Sequence, residues 1–208
     1  KSGARSGMAI VMLPRTGEIL AMVSLPECAP NNPGSYDAGC RKERCLVDIF
    51  EPGSTFKLVT AMAAVSKGMS ASRWIDTDYG KLKVGRHTIT DVKEYKSLTF
   101  EDVIAKSSNV GTVKISWWAG DKRIYETARD LGFGAFTGIE MPGESRGILN
   151  PPSEWDIYSR ATIAIGQGVS VTAMQLASAY AAIANEGLLM KPMVVKSILK
   201  PMCEVENR

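Results

Sequence analysis

Two apolar runs open the chain, residues 7–13 (GMAIVML) and 18–24 (EILAMVS), separated by Pro14-Arg15-Thr16-Gly17. A proline early and a glycine late in the connection predict a β-hairpin. Neither run alternates, and near-continuous apolar strands are expected where both faces of a sheet are covered. Residues 25–48 are polar and turn-rich and read as an ordered excursion. From residue 55 to 65 the chain is apolar and rich in helix formers, closing at Lys67-Gly68 with a cation and a glycine. Residues 79–91 alternate and turn at Gly85, which predicts a small exposed hairpin. Thr99 followed by Asp102 resembles a capping box for a helix reaching about Lys106. A second helix is expected over 110–118, and a third over 122–131, ended by Gly132-Phe133-Gly134. Residues 138–152 read as an irregular loop. Thr172 and Gln175 form a further capping box for an alanine-rich helix over 173–185, and 191–199 reads as a strand with a proline near its start.

Composition narrows the possibilities. With 208 residues there is room for one sizeable core, and the chain reads as one domain over 1–208. A net charge of +3, spread along the chain, gives nucleic-acid binding no support. No apolar run has the length of a membrane span, and no signal-peptide pattern is present. A chain opening at Lys1 rather than Met is expected to be a piece of a longer protein. Three of its four cysteines, Cys28, Cys40 and Cys45, fall within one loop-like stretch, and Cys203 stands apart. They have neither Cys-x-x-Cys spacing nor a nearby histidine, so no metal site is expected.

Candidate chemistry centres on Glu51-Pro52-Gly53-Ser54-Thr55-Phe56-Lys57. Pro52-Gly53 is turn chemistry, and it delivers the chain into a helix whose first residue is Ser54. On a helix, Ser54 and Lys57 share one face. A serine at a helix start beside a desolvated lysine is a nucleophile with its base; the plain alternative is an N-cap serine and a surface lysine. A second stretch, Lys106-Ser107-Ser108-Asn109, shifts the balance. Ser107 offers a hydroxyl to relay a proton, and Asn109 an amide to hold the lysine and an acyl group. His87, the one histidine, lies in the polar hairpin, so a Ser-His-Asp triad is not expected and Lys57 is the natural base.

With Ser54-x-x-Lys57 and Ser107-x-Asn109 in this order, the sequence resembles the transpeptidase domain of class B penicillin-binding proteins, nearest to the cell-division and spore-cortex branch. The Gly166-Gln167-Gly168 turn before a long helix fits the same resemblance, with Gln167 a candidate cleft-lining residue. The resemblance implies an α+β transpeptidase fold of the penicillin-binding and β-lactamase type. An antiparallel sheet (two strands from residues 8–24, a third from 193–199) would be covered by helices. Beside it would stand an all-helical lobe carrying Ser107-Ser108-Asn109, with a cleft between.

It further implies Ser54 as nucleophile, Lys57 as base, Ser107 as proton relay and Asn109 as the group orienting Lys57 and the acyl amide, with no cofactor. The implied partners are a peptidoglycan stem peptide ending in D-Ala-D-Ala, β-lactam antibiotics and other cell-wall synthesis and divisome proteins. The implied location is outside the cytoplasmic membrane, with an anchor upstream. A disulfide among Cys28, Cys40 and Cys45 would fit that location, without the sequence choosing the pair.

The chain departs from the pattern in one respect. Neither Lys-Thr-Gly nor Lys-Ser-Gly occurs: Lys67 is followed directly by Gly68, and Lys196-Ser197 by Ile198. The domain is therefore expected to be incomplete at both ends, and these 208 residues alone to be inactive. A serine β-lactamase shares both motifs, but the class A deacylating glutamate is missing: three positions before Leu149-Asn150 stands Arg146. Class D enzymes carry an apolar residue where this chain has Asn109. A non-catalytic β-lactam sensor or degenerate wall-binding module is the third reading, and the absent triplet is its support.

Overall fold

The computed structural model describes residues 3–29, 31–37, 39–199 and 205–207. Its strands are β1 (Gly7–Met12), β2 (Ile19–Leu25), β3 (Trp74–Asp76), β4 (Lys81–Val84), β5 (His87–Thr90), β6 (Ser97–Thr99), β7 (Ser197–Leu199) and β8 (Val205–Asn207). Its α-helices are α1 (Arg44–Val47), α2 (Lys57–Ser66), α3 (Phe100–Ala105), α4 (Asn109–Ala119), α5 (Asp121–Asp130), α6 (Ser159–Thr162) and α7 (Ala173–Ala184). Two compact units emerge: Lys1–Ile49, Leu131–Gly147 and Val171–Arg208 make one, and Phe50–Asp130 and Ile148–Ser170 the other.

In the first unit β1 and β2 pair antiparallel, Gly7 opposite Leu25 and Ile10 opposite Met22, with an irregularity between Val11 and Met12. Ile10, Met12, Ile19 and Met22 pack against Leu46, Ile139 and Met174. Among the described residues both α1 and α7 serve this face, while Val11, Leu20, Val23 and Leu25 on the strands are exposed, so the cover expected on both faces is seen on one. The strand expected over 191–199 is also broken. Met193 bridges Glu18 in parallel, its carbonyl accepting from Ile19 N–H and its own N–H donating to Gly17, both at 2.9 Å. The ladder stops there: Val194 N–H donates to the Glu140 carboxylate (3.2 Å), and β7 pairs with β8 instead. The capping box of α7 is complete: Gln175 N–H donates to Thr172 Oγ1 and Thr172 N–H to Gln175 Oε1. Gln175 is buried, and its amide also donates to the carbonyls of Ala135 and Arg146, which ties the 131–147 segment to the helix. Cys45 is buried, Cys40 donates its thiol to the Glu27 carbonyl (3.1 Å), and Cys203 lies outside the described residues.

The second unit is built around α2, whose alanines let neighbouring helices come close. Ala61 and Ala64 pack with Val103 of α3 and Ile115 of α4, while Ala63 meets Ile124 of α5 and Trp155. Where α4 crosses α3, a Cβ on Gly111 would stand 2.6 Å from Val103 Cγ2, so glycine sets that approach. The β4–β5 ribbon forms as expected, turning at Gly85, and Leu82, Val84 and Ile89 cover Val110 and Val113. A second ribbon, β3–β6, has three-residue strands too short to show a period in sequence. The paired tryptophans at the end of α4 part company: Trp118 is half-buried, with Lys67 and Arg73 over its ring, whereas Trp117 is exposed.

Candidate active site

The chain enters α2 through a 3₁₀ turn, Gly53–Phe56, and the α-helix proper begins at Lys57. Ser54 is therefore inside the tight turn rather than the first α-helical residue. Pro52 at the N-cap has no side-chain acceptor to satisfy the leading N–H groups, and the chain tightens to i→i+3 bonding, as helix ends without a cap do. Lys57 N–H donates to the Ser54 carbonyl, and Thr55 Oγ1 to that of Pro52 (2.6 Å). In a 3₁₀ turn residues three apart eclipse, so Ser54 and Lys57 project to one side. Ser54 is exposed, and its hydroxyl makes no hydrogen bond among the described residues.

Backbone contacts hold this turn from behind. Gly53 N–H donates to the Gly166 carbonyl (3.1 Å), Gly168 N–H to Glu51 Oε1 (2.8 Å) and Thr60 Oγ1 to the Ala164 carbonyl (2.9 Å). Gly166 has φ +79°, and a Cβ there would lie 2.1 Å from the Gly53 carbonyl oxygen. No side chain fits, which explains the glycine. Gln167 is exposed; its N–H donates to Thr162, and its side chain makes no hydrogen bond to Ser54, Lys57, Ser107 or Asn109.

Lys57 is 3% exposed, and its amine meets three acceptors: the Ser107 carbonyl at 2.6 Å, Ser107 Oγ at 2.9 Å and Asn109 Oδ1 at 2.7 Å. All three N–H donors of an ammonium are thus used. Ser107 delivers both of its oxygens to the same amine from a left-handed backbone, φ +54°, a conformation that costs a non-glycine residue energy. Burial pushes the Lys57 amine down to about 8 from its ordinary 10.5, and the negative charge of Asp91 acts in the opposite direction. Lys57, Ser107 and Asn109 are together; Ser54 adjoins them along the chain without a hydrogen bond to the amine.

Two contributors escaped the sequence reading. Glu51 grips the Gly168 turn as described. Asp91, at the end of β5, caps α4 from outside: Oδ2 accepts from Ser108 Oγ (2.6 Å) and Oδ1 from the N–H groups of Asn109 and Val110. The neighbouring Thr90 carbonyl accepts from Asn109 Nδ2 (2.8 Å). No spacing rule connects a carboxylate to a helix start seventeen residues downstream. On its other side the Ser107–Ser108 link borders a cleft of about 340 Å³, shared with Asp91, Lys93, Tyr95 and Lys106. His87 packs its ring on Tyr158 at 4.2 Å. Among the described residues no group of three His, Cys, Asp or Glu is arranged to hold a metal.

This geometry can be set beside that of known proteins. Residues 7–208 match the family model described as penicillin binding protein transpeptidase domain. Penicillin-binding protein PbpB of Mycolicibacterium smegmatis is 36% identical over 207 residues, 96% of this chain and 31% of its own length. Peptidoglycan D,D-transpeptidase FtsI of Escherichia coli is 33% identical over 199 residues, 96% of this chain and 34% of its own. The chain therefore spans about a third of the length of these curated relatives. Among solved structures, penicillin binding protein 3 of Mycobacterium tuberculosis, complexed with aztreonam, superposes with a TM-score of 0.88 at 34% identity, covering 100% of this chain and 47% of that one. With a family match over nearly its whole length and a shared α+β fold, the chain belongs to the transpeptidase domain family of the penicillin-binding proteins.

Proposed function

We propose that the protein is a peptidoglycan D,D-transpeptidase of the class B type working through a Ser54 acyl-enzyme. The observation that carries this reading is the burial of Lys57 with its amine converged on Ser107 and Asn109. An amine held near 8 is neutral in about one molecule in ten at pH 7, against roughly one in three thousand for an ordinary lysine. A neutral amine has two N–H groups and one lone pair. Of the three partners of Lys57, only the Ser107 hydroxyl can donate in return, so the proton route through Ser107 follows from which groups can reverse.

In the reaction, neutral Lys57 takes the Ser54 proton as the serine oxygen bonds to the carbonyl carbon of the penultimate D-alanine. The proton passes through the Ser107 hydroxyl to the departing amine as the bond to the terminal D-alanine breaks. Asn109 orients Lys57 and the acyl amide. An amine of a neighbouring stem peptide then attacks the ester, its proton leaves by the same residues, and Ser54 is released with its hydroxyl restored. β-Lactams acylate Ser54 and remain, since Arg146 stands where a class A β-lactamase has its deacylating glutamate. The same reading places the protein outside the cytoplasmic membrane, among the cell-wall synthesis proteins of division. In the resembled family a Lys-Thr-Gly triplet supplies one oxyanion-hole N–H, worth about 2.7–4 kcal/mol, so the 208 residues by themselves are expected to be inactive or poorly folded.

Fluorescent penicillin added to the full-length protein, followed by peptide mapping, tests the reading. The label is expected on the peptide holding Ser54 and absent from a folded Ser54→Ala variant. A label elsewhere, or one that survives Ser54→Ala, refutes it. Release of D-alanine from a D-Ala-D-Ala stem peptide in the presence of an amine acceptor separates transpeptidation from mere penicillin binding.

A further inference from the structure

Asp91 combines two actions on the site. Its oxygens hold the first turn of α4 through Ser108 (2.6 Å), Asn109 and Val110 (3.0 Å), and the adjacent Thr90 carbonyl holds the Asn109 amide. Among the described residues, Asp91 is also the charged group that acts on the buried Lys57 amine, against the effect of burial. The other charges nearby are engaged or turned to the cleft: Lys93 and Lys106 share the cleft with Asp91, and Lys106 is paired with Asp102 (2.8 Å). Lys114 is paired with Asp78 (2.7 Å), and Glu51 is taken up by Gly168 N–H.

We propose that Asp91 is the positioning residue of the site, fixing Ser107 and Asn109 from outside both motifs and holding the Lys57 amine against them by charge as well as by geometry. The inference rests on the reading of Ser54 as nucleophile and Lys57 as base. A carboxylate at a helix N-terminus is favourable in itself. Here the same group sits where it also favours an ammonium one bond further along the network. Neutralising it withdraws that support, so Lys57 gives up its proton at lower pH. Lengthening it by one methylene keeps the charge and spoils the placement.

The test is the rate of Ser54 labelling by fluorescent penicillin, followed against pH in the full-length protein, for wild type, Asp91→Asn and Asp91→Glu. Asp91→Asn is expected to move the acid limb to lower pH and to lower the plateau by about tenfold or more. Asp91→Glu is expected to lower the plateau with the limb unmoved. An Asp91→Asn limb that coincides with wild type, or labelling rates that ignore both changes, overturns the proposal. Should Asp91→Asn fail to fold, Asp91→Ser, a neutral acceptor for the same N–H groups, makes the same comparison. Labelling that survives Ser54→Ala sinks the acyl-enzyme reading itself; labelling that needs Ser54 and Lys57 yet disregards Asp91 sinks this proposal alone.

Discussion

The turn that carries Ser54 and the link that carries Ser107 and Asn109 are secured in different ways. The turn leans first on a main-chain fit, Gly53 against Gly166, backed by the Thr60 hydroxyl on Ala164 and the Glu51 carboxylate on Gly168 N–H. The link depends on one ionisable side chain, Asp91, with help from the Thr90 carbonyl. Contacts between peptide groups carry no net charge and answer to shape. A carboxylate anchor answers to charge and to its screening by salt. The serine is thus placed chiefly by steric fit, while its base is placed by an arrangement that electrostatics can tune.

The largest effect that would sharpen this contrast comes from the base itself. Lys57→Met is expected to slow acylation of Ser54 by about a thousandfold, within the range general-base removal gives, as measured with labelled penicillin. Next is the steric anchor. Gly166→Ala forces a Cβ to within 2.1 Å of the Gly53 oxygen at positive φ. Thermal or denaturant unfolding should show a loss of about 2 kcal/mol or more, with slower acylation; a variant as stable as wild type would dissolve the distinction drawn above.

The pH dependence follows with a smaller span. Lys57 works when neutral, so the acylation rate should rise about tenfold per unit below pH 8 and level off above it. Stability has its own sign. The folded lysine loses its proton near 8 and the unfolded one near 10.5, so between those values the unfolded chain binds more protons and stability rises with pH. Below about 8 the cost of burying the charge is present in full. The smallest effect is expected for Glu51→Gln, which keeps an acceptor for Gly168 N–H and should change stability by less than about 1 kcal/mol in the same unfolding experiment.

Much of the architecture could be read from local chemistry. Turn residues at Pro14–Gly17 and Gly85 marked both hairpins, and Thr99 and Thr172 marked two helix starts through their side-chain acceptors. Misreadings arose where tertiary neighbours decide. The apolar runs of β1 and β2 suggested two covered faces, yet among the described residues helices serve one. The stretch from Met193 to Leu199 looks continuous by composition, yet it is interrupted where Val194 N–H goes to the Glu140 carboxylate. At the site, residues within a few positions of one another stood out as motifs, whereas Asp91 and Glu51 act across 17 and 117 positions. Nothing in their own neighbourhood announces that. Gly166 was visible as a turn, but the reason for it, a peptide group pressed against Gly53, belongs to packing.

One amino acid, Ser107, supplies two of the three oxygens around the lysine nitrogen. Those two contacts answer to different torsions: χ1 carries the hydroxyl and ψ the carbonyl, so a turn about either bond takes one oxygen from the nitrogen and leaves the other in place. Damage to this corner should therefore register in steps, one oxygen at a time, before the lysine is released.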